Sequence, residues 1–440
     1  MNIRERLQYF YQHRFVKQAA TLQAGNIAGN FIQALIGVFL ARLLQPELFG
    51  VYSIAIGLGS LASIFIGFGA FNAGAALLGE RYARQDYTGI KEILGFLVKI
   101  IFWTSVLALI YILILPLIGR VFYNSSIVGI YAIFVVLALL LSSATLSFLM
   151  LCLQLVGKIK TMAKLTVLDQ FLRYGFSLIL VLVGLSVLGA VNGQLAGAAV
   201  MLIISFILWT KLRGEYPFFL SFKDLLGQAK RVPLKKYFGF TFWVTLDRNM
   251  GTLYMSLPVV LTGVYVSTAE VTYFRLAFGY INLAMALLGP ISTLLNVEFS
   301  KMRADNSETL SRNFRRVSLY SIALSAVLTA GVIIVAPLAF KILYGESFLP
   351  SVKYVTGLFA YGALYGIGVG LGPMWRAVDK VKISILINTI ILAIGIPTGI
   401  LLIKQFGIWG AVIMVTLWFA VSHFTSYIYL VNSVKKLNRI

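Results

Sequence analysis

Apolar runs long enough to cross a bilayer recur along the whole chain, separated by short polar breaks. A helical span needs roughly 20 mostly apolar residues to cover about 30 Å of hydrocarbon. Twelve stretches meet that need, at about 19–43, 48–78, 92–115, 126–150, 163–185, 188–211, 237–262, 267–295, 315–336, 351–375, 382–403 and 407–431. They are too long for the strands of a closed barrel and lack strict alternation, so the backbone must satisfy itself as helices. The pattern predicts an all-α polytopic membrane protein with both termini on one side.

The pattern also repeats. Shifted by about 221 residues, "LPLIGRVFYNSS" at 115–126 falls on "APLAFKILYGES" at 336–347, so Pro116 meets Pro337 and Tyr123 meets Tyr344. "LGAV" at 188–191 falls on "WGAV" at 409–412, and "GKIK" at 157–160 falls within one residue of "DKVK" at 379–382. Six helices per copy give both copies the same orientation, which predicts two lobes related by a pseudo-two-fold axis along the membrane normal. The expected division is a first lobe at 1–210, a linker at 211–236 and a second lobe at 237–440. Within the linker, Ser221 and Asp224 mark the start of a short surface helix.

Composition agrees: of 440 residues, 60% are hydrophobic and 12% charged, with a formal charge of +22, which leaves no room for a soluble domain. The positive charge is unevenly placed. Odd connections carry only Arg42, Arg120, Lys341, Lys353 and Lys404, whereas even connections and the tails carry nearly all the rest. By the positive-inside rule both termini face the cytoplasm, and the charge reads as topology in a cell membrane rather than nucleic-acid binding. The N-terminal segment lacks a signal-peptide core, and its Ile3, Leu7 and Phe10 suit a short helix on the membrane surface. A lone Cys152 and the distant His13 and His423 make neither a disulfide nor a metal site.

Polar residues inside the spans are the candidate site, because intramembrane ionisable groups are expensive to keep. Thr241, Thr245, Arg248, Thr252 and Ser256 recur every three or four residues and so share one stripe, with Arg248 roughly 16 Å from the helix start at 1.5 Å per residue. Asp247 points about 100° away and is expected to support a neighbouring helix or tune that arginine. Arg275 and Asn282 share a second polar face, and Asn26 and Asn30 a third. With a shift of 222, Asn26 and Asn30 correspond to Arg248 and Thr252. Asp169 and Arg173, spaced i to i+4, suit a local ion pair, with Arg173 also a candidate ligand and Asp169 a candidate ion-coupling group. Gly57, Ser60, Ser63 and Gly67 read as close packing, and His423 as a hydrogen-bonded packing residue.

Excess guanidinium and amide groups at mid-membrane suit an anion, and arginine pairs well with phosphate. No G-x-x-x-x-G-K-[ST] loop is present, so nucleotide hydrolysis is not expected. No cofactor is expected; the candidate energy sources are an H+ or Na+ gradient, the membrane potential or the substrate's own gradient.

The stretches "ARLLQPELFGVYSIA" at 41–55, "GERYARQDYTGI" at 79–90 and "ILYGESFLPSVKYV" at 342–355, with the internal repeat, resemble the polysaccharide exporter family of lipid-linked oligosaccharide flippases, the Wzx type of the multidrug/oligosaccharidyl-lipid/polysaccharide superfamily. The resemblance covers essentially the whole chain. It implies a flippase that carries a polyprenyl-diphosphate-linked glycan to the outer leaflet by alternating access. Its implied partners are that glycan, membrane lipids and other polysaccharide-assembly membrane proteins, with no nucleic acid. Arg248, Arg275 and Arg173 match a cationic cavity by type and position. The rivals are a cation-coupled multidrug exporter of the same superfamily, which favours an acidic and aromatic first-lobe cavity, and a glycan polymerase or glycosyltransferase, which needs a large outer loop or paired carboxylates. Lipid II flippases of the superfamily tend to have two extra helices, which this length does not readily supply.

Overall fold

A computed structural model of the protein describes residues 14–66, 70–305 and 307–437, and the regular structure among them is helical. The surface helix expected around Ile3, Leu7 and Phe10 lies outside the described residues. Eight described helices are long and apolar enough to cross a membrane, and a ninth span is a pair, Glu346–Gly357 and Phe359–Ala377, bent by 55°. Two of the eight contain two spans each. As one straight rod, Ala20–Ala62 would run roughly 65 Å at 1.5 Å per residue, about twice the hydrocarbon thickness. Its backbone leaves the helical region at Gln45 (φ 59°, ψ 169°), directly before Pro46, where the ring disfavours the α conformation of the preceding residue. Ile159–Glu215 breaks after a π turn at Val181–Leu185, and its halves Ile159–Leu180 and Ser186–Glu215 pack side by side. Lys235–Tyr265, whose apolar character Asp247 and Arg248 reduce, completes the set. All twelve expected spans have a helical counterpart, and the chain is a multi-pass membrane protein.

The observed helices outrun the apolar runs that announced them. Tyr87–Tyr123 and Ser307–Leu343 are each 37 residues long. Their polar ends are helical too, beyond what hydrophobicity marks. The run expected at 48–78 is instead divided: helix ends at Ala62 in a turn and resumes as Ala70–Ala83.

The duplication is written in the backbone as well. Asn124 and Gly345 (221 apart), Ser186 and Gly407 (221 apart), and Gly157 and Asp379 (222 apart) all take φ between 49° and 99°, a region non-glycine residues seldom enter. Pro116 and Pro337 lie inside equivalent helices. Gly189 and Gly410, also 221 apart, let consecutive helices touch: a Cβ would fall 2.8 Å from the Leu180 carbonyl oxygen in one and 2.0 Å from that of Leu402 in the other. Even the lipid-facing surface repeats, with Leu113 80% and Ile334 78% exposed.

The chain forms two compact units, residues up to 44 with 55–252, and 45–54 with residues from 253 onward. The first unit is built on a core that includes Leu94, Leu97, Phe148, Cys152, Met201 and Trp209. The linker belongs to this unit. Its helix Phe222–Arg231 is capped by Ser221, whose side chain accepts from the Asp224 N–H, and it packs on Tyr87–Tyr123. Gly95 makes room for Gln228 there. In the second unit, Phe299, Phe314, Met374, Trp375 and Leu430 form a core, and the Thr272 hydroxyl donates to the Pro46 carbonyl at 2.6 Å.

Candidate functional site

In the first unit, Asp169 and Arg173 stand one turn apart on Ile159–Leu180, and both are buried. Arg173 Nε donates to Asp169 Oδ1 at 2.8 Å, the local pair that their spacing suggested. Ser186–Glu215 closes over it through glycines: a Cβ on Gly197 would lie 2.5 Å from Arg173 Cα, and one on Gly193 2.2 Å from Ser177 Cα. The Ser177 hydroxyl lies 2.6 Å from the Ala190 carbonyl oxygen, joining the two helices. Two opposite charges are thereby tolerated where little water reaches them.

Asn26 is half-buried and Asn30 exposed, on the helix that begins at Arg14. That helix rests on Ile159–Leu180 through Gly25 and Gly29, which approach Ala163 and Gln170. Asn26 and Asn30 each follow a contact glycine by one residue, so they are rotated about 100° away from the packing face.

On Lys235–Tyr265, Thr241 and Thr245 are buried, and their hydroxyls donate one turn back, to the carbonyls of Tyr237 at 2.9 Å and Thr241 at 2.7 Å. The beginning of the expected stripe is therefore packed, its hydroxyls spent on its own backbone. Asp247 is half-buried, and the Arg248 backbone continues the helix, while the Arg248 side chain lies outside the described part of the structure. Beside them Asn249 is buried and its Nδ2 donates to the Ile64 carbonyl at 3.0 Å, a tie to the turn after Ala62 that the sequence did not single out.

In the second unit, Arg275 and Asn282 lie on Thr268–Met285. The helix opens with a reciprocal capping box between Ser267 and Glu270, which employs the Glu270 carboxylate at the helix start. Asn282 is held at both ends of its amide: Nδ2 donates to the Phe278 carbonyl at 2.8 Å, and Oδ1 accepts from the Tyr361 hydroxyl at 2.7 Å. Tyr361 is buried, near the bend at Leu358, with its ring against Phe278 and Phe419. Further along the same polar face, Asn296 Oδ1 accepts from Arg376 Nη1 at 2.8 Å. His423 donates Nδ1 towards the Phe419 carbonyl at 2.8 Å and stacks on that ring, a packing role as expected.

Thus Asp169 and Arg173 are brought together, in the unit that also holds Asn26, Asn30, Asp247 and the Arg248 backbone, while Arg275 and Asn282 stand in the other. Sequence reasoning passed over Tyr361, Asn249 and Arg376. A tyrosine next to Gly362 inside an apolar span, and an asparagine adjoining Asp247 and Arg248, were the available signals.

Outside the spans, the ends of the helices that carry the basic residues are laced by ion pairs. Asp86 caps Tyr87–Tyr123, accepting from the Gly89 N–H at 2.8 Å, and meets Arg81 at 2.7 Å. The Gly89 N–H first and the Arg81 guanidinium second hold its carboxyl below the usual range. Lys236 reaches both Glu92 oxygens, at 2.6 and 2.8 Å, and that bond raises the ammonium's pKa. Lys158 pairs with Glu215 and keeps that carboxyl ionised to lower pH than usual.

Comparison with known proteins places this architecture. Solved structures share the fold at low identity. An inward-facing multidrug resistance MATE family transporter of the MOP superfamily aligns with a TM-score of 0.64 at 15% identity, covering 92% of this chain and 95% of its own. The lipid II flippase MurJ in an inward closed conformation gives 0.63 at 15% identity, covering 94% and 87%. The eukaryotic MATE transporter AtDTX14 gives 0.62 at 18%, covering 97% and 99%. No curated protein matches by sequence. The family model described as "Polysaccharide biosynthesis protein" matches residues 39–353, well over half of the chain. On that match, and with the fold of the MOP superfamily's exporters and flippases, the chain belongs to the polysaccharide biosynthesis protein family.

Proposed function

We propose that the protein is a flippase that moves a polyprenyl-diphosphate-linked oligosaccharide from the cytoplasmic to the outer leaflet of the cell membrane, with its termini and basic helix ends in the cytoplasm. The observation that carries this reading is the polysaccharide family match across residues 39–353 on a transporter fold. Arg248 and Arg275 are the leading ligands for the diphosphate, since a planar guanidinium makes paired charge-assisted bonds to phosphate oxygens. Arg173 ranks behind them, because its Nε is committed to Asp169. Asn26, Asn30 and Asn282 supply amides for sugar hydroxyls. Tyr361 and Phe278 fix the Asn282 amide plane and leave one N–H and one oxygen lone pair for a ligand. Asp247 and Asp169 support the arginines, and either is a candidate coupling group for H+ or Na+. Translocation proceeds by alternating access between repeats, and other polysaccharide-assembly membrane proteins are its expected partners.

The test is surface glycan in a strain whose only copy carries Arg248→Ala, with membrane insertion confirmed. The expected result is loss of surface glycan, with partial return in Arg248→Lys. Normal glycan in the alanine strain would remove Arg248 from the site. Drug export by the wild-type protein with no glycan transport would favour the exporter reading.

A further inference from the structure

A groove in the first unit shares no lining residue with the candidate site. It encloses about 270 Å³ and is lined by apolar side chains, among them Phe148, Leu149, Ile203, Phe206 and Phe222. Phe222, the first residue of the linker helix, stacks on Phe206 with parallel rings 5.0 Å apart, so the linker forms one wall. A π turn at Ser143–Ser147 shapes the opposite side, where Thr145 spends its hydroxyl on the Leu141 carbonyl.

Two donors break the apolar lining. Ser205 and Trp209, one turn apart on Ser186–Glu215, are 2% and 3% exposed, and neither Ser205 Oγ nor Trp209 Nε1 has a hydrogen-bond partner. Buried donors left unmatched are costly, so the pair calls for an acceptor inside the groove. Trp209 lies six residues before the helix end at Glu215, roughly 9 Å at 1.5 Å per residue, a depth suited to the boundary between headgroups and chains. Close in the chain, Lys211 and Lys223 are exposed, and Asp224 is engaged with Ser221 at 2.5 Å.

We propose that this groove holds one acyl chain of an ester-linked phospholipid, whose ester carbonyl accepts from Trp209 and Ser205. An isoprenoid chain has no carbonyl at that depth and would leave both donors unmatched. The bound chain fills the wedge between the linker helix and the two spans behind it, which fastens the linker to the first unit. The inference stands independently of the transported substrate.

The full-length protein is reconstituted in phosphatidylethanolamine–phosphatidylglycerol vesicles containing a trace of phosphatidylglycerol with a diazirine in an ester-linked acyl chain. Parallel samples carry its ether-linked analogue or a diazirine-bearing polyprenyl phosphate. Labelled residues are mapped by mass spectrometry after illumination. The expected result is several-fold more labelling at Phe148, Leu149 and Ile203 than at the open lipid-facing Leu113 and Ile334, falling to the general level with the ether lipid. In the Ser205→Ala, Trp209→Phe double variant the ester and ether lipids should label alike. Even labelling over the surface, equal labelling by ester and ether lipids in the wild type, or preferential labelling by polyprenyl phosphate would each overturn the proposal. The wild-type comparison decides the matter even where the variant fails to fold.

Discussion

Replacing Asp169 with asparagine keeps the side chain's shape and removes its charge, leaving the buried Arg173 guanidinium without its ion-pair partner. The charged atoms are 2.8 Å apart and the side chains only 10% and 11% exposed, so this pair behaves as a buried one. At that separation the attraction is about 6 kcal/mol for an effective dielectric constant near 20, and much of it is cancelled by the desolvation of both groups. Removing one partner exposes the uncancelled cost, about 3–5 kcal/mol, against about 1 kcal/mol or less for a surface pair. Asp169→Asn should therefore lower the unfolding free energy of the purified protein in detergent by about 3 kcal/mol or more, read from denaturant titration by tryptophan fluorescence. The double variant Asp169→Leu, Arg173→Met removes both charges and should recover most of that loss. A single-variant loss below about 1 kcal/mol would instead mean that water compensates the stranded guanidinium and that the pair is not a buried one. Export by the stable double variant then separates scaffold from ligand: retained export would assign Arg173 to the scaffold alone.

Gly193→Ala should lower stability by about 1–3 kcal/mol through overpacking against the Ser177 backbone, whereas Gly214→Ala, on the same helix but with open space around it, should not; thermal unfolding of the two variants compares them. Tyr361→Phe should cost about 1 kcal/mol and reduce transport at low substrate concentration, because the Asn282 amide loses its fixed orientation; unchanged transport would remove Asn282 from the site. Asp86 has a depressed folded-state pKa, so its cap contributes stability above the ordinary aspartate pKa and loses it as pH falls through the lowered value. Melting curves from neutral pH down to about pH 3 should show a wild-type loss at the acid end that Asp86→Asn lacks; parallel curves for the two proteins would contradict the assignment.

Much of this fold is legible in the sequence because the bilayer imposes a single length scale. The apolar runs marked every span, and residues at 221- or 222-residue spacing, such as Asn124 and Gly345, proved to share a left-handed backbone as well as a place in a repeat. Helix ends were less legible, since Tyr87–Tyr123 and Ser307–Leu343 continue into polar sequence where hydrophobicity no longer marks them. The division of 48–78 was not legible, because the apolar run continues through the turn that follows Ala62. Within the candidate site, the Asp169–Arg173 contact could be read because i to i+4 neighbours meet on any helix. Tyr361 with Asn282, or Arg376 with Asn296, could not, because those pairs are 79 and 80 residues apart and packing decides which faces meet. The Thr241 and Thr245 hydroxyls carry a similar lesson: a polar stripe on a helical wheel can be consumed by the helix's own carbonyls.

Translocation of a lipid-linked glycan can be read directly. In sealed vesicles containing the purified protein and a polyprenyl-diphosphate oligosaccharide with a fluorescent sugar, a membrane-impermeant reductant quenches only label exposed on the outside. Wild-type protein should render the inner-leaflet pool quenchable, while Arg248→Ala should leave it protected as in protein-free vesicles. An inner pool that stays protected in the presence of folded wild-type protein, under either an imposed H+ or Na+ gradient, would contradict the flippase reading.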